Sequence, residues 1–210
     1  MEVHAPHQPI HSWRDFFIHL ITITIGLLIA LGLEGLVEMS HHRNLVKEAR
    51  ADLRAEMTSN HALVASNLAE IRADREVLKG DIRTLVSIRS GKKEKKESVS
   101  YRLKWSPFGN SAWKTTENSG ALIYMDFESE RDLADVYDQQ DLVSSREKQI
   151  ERDHALAMAA FLINEDPEKM TSQETQLGLQ RSADLVMDLQ TLEQWLLQLD
   201  EKYVRELNKF

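Results

Sequence analysis

The chain has 210 residues, a formal net charge of −8 and no cysteine, so disulfide bonds, thiol catalysis and cysteine-ligated metal sites are excluded. Charged residues make up 29% of the sequence, with only four prolines and eight glycines; this composition favours long helices over a sandwich or barrel. Basic residues outnumber acidic ones in residues 39–105, whereas acidic residues dominate 106–210. The asymmetry favours packing of the two parts against each other over contact with nucleic acid, which we do not predict.

An apolar stretch covers residues 16–37, in which only His19 and Glu34 could carry charge. As a helix it would be about 33 Å long, close to the thickness of a bilayer core. Arg14 is the only Lys or Arg before it, and no small-residue cleavage site follows it, which argues against a cleaved signal peptide. We therefore predict a short polar tail (1–15) followed by a single transmembrane helix (16–38).

One face of this predicted helix carries small residues. Thr22, Gly26, Ala30 and Glu34 recur at intervals of four and therefore share a face. Small residues at this spacing let two membrane helices approach closely, so we predict helix association through these four positions. The alternative is a chance stripe, because glycine and alanine are common in membrane helices.

Flanking charge predicts the orientation of the chain. Arg43, Lys47, Arg50 and Arg54 follow the apolar stretch, whereas Arg14 alone precedes it. Positive residues remain on the cytoplasmic side of a bacterial inner membrane. We therefore expect the C-terminal region in the cytoplasm, with the periplasm as the alternative.

A long helix is predicted over residues 39–90, which contain no proline. Core positions follow steps of four and three, the spacing of a coiled-coil seam. They are Val46, Arg50, Leu53, Met57, Asn60, Val64, Leu68, Ile71, Arg75, Leu78, Ile82 and Leu85. A single helix cannot cover this stripe, so it needs a partner from the same chain or another.

A basic connector and a Trp–Ser–Gly segment are predicted over residues 91–126. Residues 98–105 alternate polar and apolar, which indicates a short strand or extended segment. A helix is predicted from Ser111 to Ser119, with Asn110 as its N-cap and Gly120 as its left-handed C-terminal residue. We expect an aromatic-rich tip that seals the end of the bundle, with Trp113, Leu122, Ile123, Tyr124 and Phe127 as its core. The candidate positions for packing or ligand contact are Trp113, Ser119, Gly120, Tyr124 and Tyr137.

Two further helices complete the predicted fold as an acidic hairpin over residues 127–210. The first begins after Asp126, which can cap it, and ends near Ile163; polar Gln140, Glu147 and His154 interrupt its apolar face. The second spans residues 172–210 and has a leucine stripe at heptad spacing. The predicted fold class is mainly α, with the long helix packed against two return helices as an antiparallel bundle or coiled coil.

The order of these features resembles a widespread family of bacterial single-pass membrane proteins of unknown function. Members carry an apolar anchor of the pattern Gly-Ile-hydrophobic-Ile-Ala-Leu. Further on they have a helix with Trp, four or five residues and Ser-Gly, then a short apolar step and a helix ending in tyrosine. The matching residues are Gly26, Ala30, Leu31, Trp113, Ser119, Gly120 and Tyr137. Glu34–Gly35 stands where many members have an Asn-rich end. The resemblance implies a membrane anchor and no activity.

Catalytic signatures are absent from the sequence: it contains no nucleophile elbow, P-loop, GxGxxG or HExxH motif. We predict no enzyme activity, no cofactor and no metal. The predicted function is self-association and contact with the membrane and with another helical membrane protein or a second copy. The alternative is a ligand-sensing module with a small-molecule pocket at the aromatic tip.

Overall fold

The computed structural model describes residues 12–91, 102–163 and 169–210, with the backbone alone at 160–163. The chain is mainly helical, and the described residues contain no strand. The long helices are α1 (Trp13–Arg89), α3 (Phe127–Ile163) and α4 (Ser172–Leu207), and α2 (Ser111–Ser119) is short. A 3₁₀ helix, Ala121–Tyr124, links α2 to α3. The chain divides into two compact units, Met1–Glu48 and Ala49–Phe210.

The first unit contains the apolar part of α1. Among the described residues, one helix, α1, is long and apolar enough to cross a membrane. Its most apolar stretch has a mean hydropathy of 2.4, and none of that stretch is buried. The hydroxyls of Thr22 and Thr24 donate to the carbonyls of Ile18 and Leu20, at 2.8 Å each. These bonds satisfy the hydroxyls within the helix, as an apolar environment requires.

The second unit packs three helices along one another, and side-chain contacts give their directions. Along α1, Arg50 bonds to Ser129 and Asn60 to Gln140, so α3 runs in the same direction as α1. The prediction that α3 runs antiparallel to α1 is therefore wrong. The physical reason lies in residues 102–110, which form no regular secondary structure and bring the chain back along α1 before α3 begins.

The fourth helix, α4, runs opposite to both of the others. Its Asp200 pairs with His61 at 3.2 Å, whereas Gln176 near its start bonds to Arg89 at 2.9 Å. Against α3, Asp188 pairs with Arg146 and Lys202 with Asp135; these pairs also run in opposite order. The leucine stripe predicted on α4 is buried: Leu185, Leu189, Leu192, Leu196, Leu199 and Tyr203.

The core of the second unit agrees in part with the predicted seam of α1. Eight of the twelve seam residues are buried, among them Leu53, Met57 and Ile71. The other four, Val46, Arg50, Arg75 and Ile82, are half-buried. Three polar residues that the steps of four and three pass over are also buried: Asn67, Asp74 and Asp81. Coiled-coil packing of the seam stays a prediction.

The Trp–Ser–Gly segment lies beside residues 50–60 of α1, near the end of the second unit where that unit begins. Ile123, Tyr124 and Phe127 are 80%, 47% and 77% exposed, so they do not form the predicted core. Ala121 and Met125 are buried in their place. Of the predicted strand or extended segment, residues 102–105 are described and form no strand, and residues 98–101 lie outside the described chain.

Candidate functional site

A row of buried polar side chains on α1 is the most specific feature of the structure. Asn60, Asn67 and Asp74 are seven residues apart and therefore lie on one face of the helix. Their exposed fractions are 2%, 1% and 1%. Buried polar groups need hydrogen-bond partners, and here the partners lie in the backbone of residues 102–110. We call this extended segment the strap, and the three residues together with Glu56 the polar ladder.

Two asparagines hold the strap by its main chain. The amide of Asn67 donates to the carbonyl of Ser106 and accepts from its N–H, both at 2.8 Å. The amide of Asn60 does the same with Gly109, at 2.8 and 2.9 Å. Seven helical residues rise about 10.5 Å, and three extended residues span about 10 Å. The two spacings match, so each asparagine meets a backbone group of the strap.

Asp74 makes the third contact and binds the strap through its charge as well. Its carboxylate accepts the Lys104 N–H at 2.8 Å and pairs with Arg102 at 3.6 Å. Burial raises the pKa of Asp74, while the bond from Lys104 and the charge of Arg102 act in the other direction. One turn earlier, Glu70 pairs with the side chains of both Lys104 and Arg102. The hydrogen bond from Lys104 is the largest of the effects that lower the pKa of Glu70.

Glu56 ends the ladder and caps α2 from outside that helix. Its carboxylate accepts the N–H of Ala112 at 2.8 Å, the N–H of Trp113 at 3.3 Å and the hydroxyl of Ser111 at 3.1 Å. Asn110 occupies the N-cap position, but its side chain makes no capping bond. The prediction of Asn110 as the capping side chain is therefore wrong, because a carboxylate from α1 satisfies these amides. A negative charge is favourable at the N-terminus of a helix.

Two of the predicted tip residues meet at Glu56. The rings of Trp113 and Tyr137 stack with centroids 4.8 Å apart, and the Tyr137 hydroxyl donates to Glu56 at 2.8 Å. Burial, followed by the bond to Glu56, raises the pKa of Tyr137. Gly120 adopts the expected left-handed conformation with φ of 73°. Ser119 donates to Thr116 within α2, and Asp126 accepts the Ser129 N–H as a cap for α3.

All three long helices contribute to the layer at Asn60. Gln140 accepts hydrogen bonds from Asn60 and from the hydroxyl of Tyr203, and it donates to the Gly109 carbonyl at 2.9 Å. Burial raises the pKa of Tyr203. The strap is therefore bound to α1 and α3 together, and through Gln140 to α4. Sequence reasoning noted Gln140 only as an interruption of an apolar face; the seven-residue recurrence of polar residues on both α1 and α3 could have predicted this layer.

The stripe predicted for membrane association lies in the first unit. Thr22 uses its hydroxyl within the helix. A Cβ atom built on Gly26 would meet no atom within 4 Å, so the helix surface is open there. Ala30 and Glu34 are exposed on the same side. Among the described residues, no cluster of His, Asp or Glu has the arrangement of a metal site.

The fold and these contacts define a mainly helical protein with one helix able to cross a membrane and an extended segment held by buried polar side chains. Comparison with protein-family models, curated proteins and solved structures returned no match to the chain.

Proposed function

We propose that this is a single-pass protein of a bacterial inner membrane that acts through self-association and protein–protein contact, without catalysis. The observation that supports this is the exposure of α1 from Phe16 to Val37. Every large hydrophobic side chain there is 42% or more exposed in the single chain. Apolar surface on that scale is unfavourable in water, and a bilayer together with a second helix would cover it.

Self-association is assigned to the face with Thr22, Gly26, Ala30 and Glu34. A Cβ atom built on Gly26 would contact no other part of the chain, as is also true at Gly32 and Gly35, so the backbone of a second helix can approach this position. Such contact does not require a new side chain, only the absence of bulk at this position. The proposal therefore predicts that bulk at Gly26 abolishes association and that equal bulk elsewhere on the helix does not.

A cysteine-crosslinking experiment in native membranes tests this face. The chain has no cysteine, so Ser40→Cys supplies a single thiol, two heptads after Gly26 and close to the same side. We expect a covalent dimer under oxidation, lost in Gly26→Leu. Gly35→Leu is the matched control, since Gly35 lies nine residues on and about 180° around the helix. Monomer alone in the parent variant, or equal crosslinking in both leucine variants, would contradict the proposal.

Orientation is tested with the same cysteine-free background. We propose that the second unit lies in the cytoplasm, because basic residues follow the apolar stretch. Lys114→Cys, exposed on α2, should then resist an impermeant maleimide in intact spheroplasts and react after lysis. Ser12→Cys, on the other side of the stretch, should show the opposite pattern. Labelling of Lys114→Cys in intact spheroplasts would place the second unit in the periplasm instead.

A small-molecule sensor has less support. The aromatic segment was the candidate pocket, but Trp113 stacks on Tyr137 and Tyr137 gives its hydroxyl to Glu56. Glu56 in turn accepts four hydrogen bonds from the protein itself. Two of the candidate ligand contacts, Trp113 and Tyr137, are thus already engaged within the protein.

A further inference from the structure

The polar residues of α3 lie in register with the ladder of α1. Asn60 bonds to Gln140, an offset of 80 residues. The charge of His154 lowers the pKa of Asp74, and these two residues are also 80 positions apart. Between these two levels, parallel helices bring Glu147 level with Asn67, the residue that holds Ser106 of the strap.

Glu147 is a buried carboxyl without a partner for one of its oxygens. Glu147 is only 5% exposed. Its Oε1 atom is buried and has no hydrogen bond in the described chain. An ionised carboxylate in such a place is costly, because nothing replaces the water that it loses. Burial accordingly raises the pKa of Glu147 to about 7.

The charged groups around Glu147 do not stabilise its ionised form. On α3, Glu151 disfavours the charge and Lys148 favours it more weakly. Charged groups of α1, α4 and the strap form the pairs Glu70–Lys104, Asp74–Arg102, Glu193–Arg72 and Glu193–Arg75, and Arg146, next to Glu147 on α3, pairs with Asp188 of α4. Burial raises the pKa of Asp188, the carboxyl of α4 that pairs with Arg146 beside this level.

We propose that Glu147 is a proton-operated latch on the strap. In its neutral form the carboxyl lets the interface of α1 and α3 close around Asn67, so that Ser106 stays bound. In its ionised form it draws water into this level, and the nearest bonds that can open are those between Asn67 and the strap. The strap is held most firmly at mildly acidic pH and loosens as the pH rises to neutrality.

The loosening of the strap with rising pH follows from proton linkage. In the open state the carboxyl is solvated and titrates near its ordinary value of 4.5, whereas in the closed state it titrates near 7. Between these values the closed state holds a proton that the open state has released, so raising the pH favours opening. Above about pH 7 both states are ionised and the preference stops changing.

Hydrogen exchange of the strap amides tests the latch in the full chain in detergent micelles. After correction for intrinsic exchange, protection of the Ser106 and Lys104 amides should fall by roughly tenfold or more from pH 5 to pH 7 and then level off. Glu147→Gln, a neutral isostere, should remove this pH dependence. Asp138→Asn, an exposed carboxylate-to-amide change on the same helix, should keep it.

Three results would overturn the proposal. One is wild-type protection that stays constant from pH 5 to pH 8. Another is a fall in strap protection in Glu147→Gln equal to that of the wild type, which would assign the pH effect to another group, or an equal fall in protection at amides of α4, which would indicate global unfolding. A third, independent of any variant, is a carboxyl NMR titration of wild-type Glu147 with its midpoint below pH 5.

Discussion

Glu56→Ala should destabilise the helical unit by about 2–4 kcal/mol. The substitution leaves the amides of Ala112 and Trp113 without their acceptor at the start of α2. Loss of an N-cap costs about 0.5–2 kcal/mol. It also leaves the hydroxyl of Tyr137 without a partner although that residue is only 3% exposed, which costs about 1–3 kcal/mol. For a unit of this size the melting temperature should fall by roughly 5–15 °C.

Thermal unfolding of the full chain in detergent micelles, followed by far-ultraviolet circular dichroism, measures this loss. Glu76→Ala is the matched control: Glu76 lies on the same helix and forms an exposed pair with Lys79, which contributes little to stability. Combining Glu56→Ala with Tyr137→Phe should cost less than the sum of the single changes, because the phenylalanine ring has no hydroxyl to leave without a partner. The reasoning is refuted if Glu56→Ala and Glu76→Ala lower stability equally.

Three other sites give predictions of definite sign. In urea unfolding, Gly120→Ala should destabilise the protein by about 1–2 kcal/mol, since Gly120 has φ of 73°. Gly80→Ala should instead stabilise it by about 0.5–1 kcal/mol, because Gly80 lies inside α1 with space for a methyl group. At α3, bonds from Lys209 and Arg131 lower the pKa of Asp132 to about 2 from 3.8; this contribution to stability is present above pH 3.8 and is lost as the pH falls towards 2. Lys209→Ala should move the carboxyl NMR titration midpoint of Asp132 upward, and an unchanged midpoint would contradict the assigned ion pair.

Sequence patterns that involve only a few neighbouring residues predicted local structure well. The bounds of α2 and the left-handed Gly120 agree with the sequence pattern, because a glycine at a helix end is a local conformational requirement. Asp126 caps α3 as expected for the same reason. The apolar stripe of α4 is buried because a heptad repeat specifies its own face.

The long-range arrangement could not be obtained in the same way. Steps of four and three along α1 pass through Leu68 and Arg75 and not through the neighbouring Asn67 and Asp74, although both of these are buried. Their partners are backbone groups of the strap, and a backbone group has no sequence signature. The direction of α3 depends on the length of chain that runs extended before it. A prediction that joins helices by short turns assigns the opposite direction.

The matched spacing of helix and strap limits how the length of this unit can vary. An insertion of one residue between Ser106 and Gly109 would move one of these positions away from its asparagine, Asn67 or Asn60. An added heptad in α1 would instead be matched by about three extended residues in the strap and by a heptad in each of α3 and α4. We therefore expect engineered chains of different length to fold only when they grow or shrink by this joint unit.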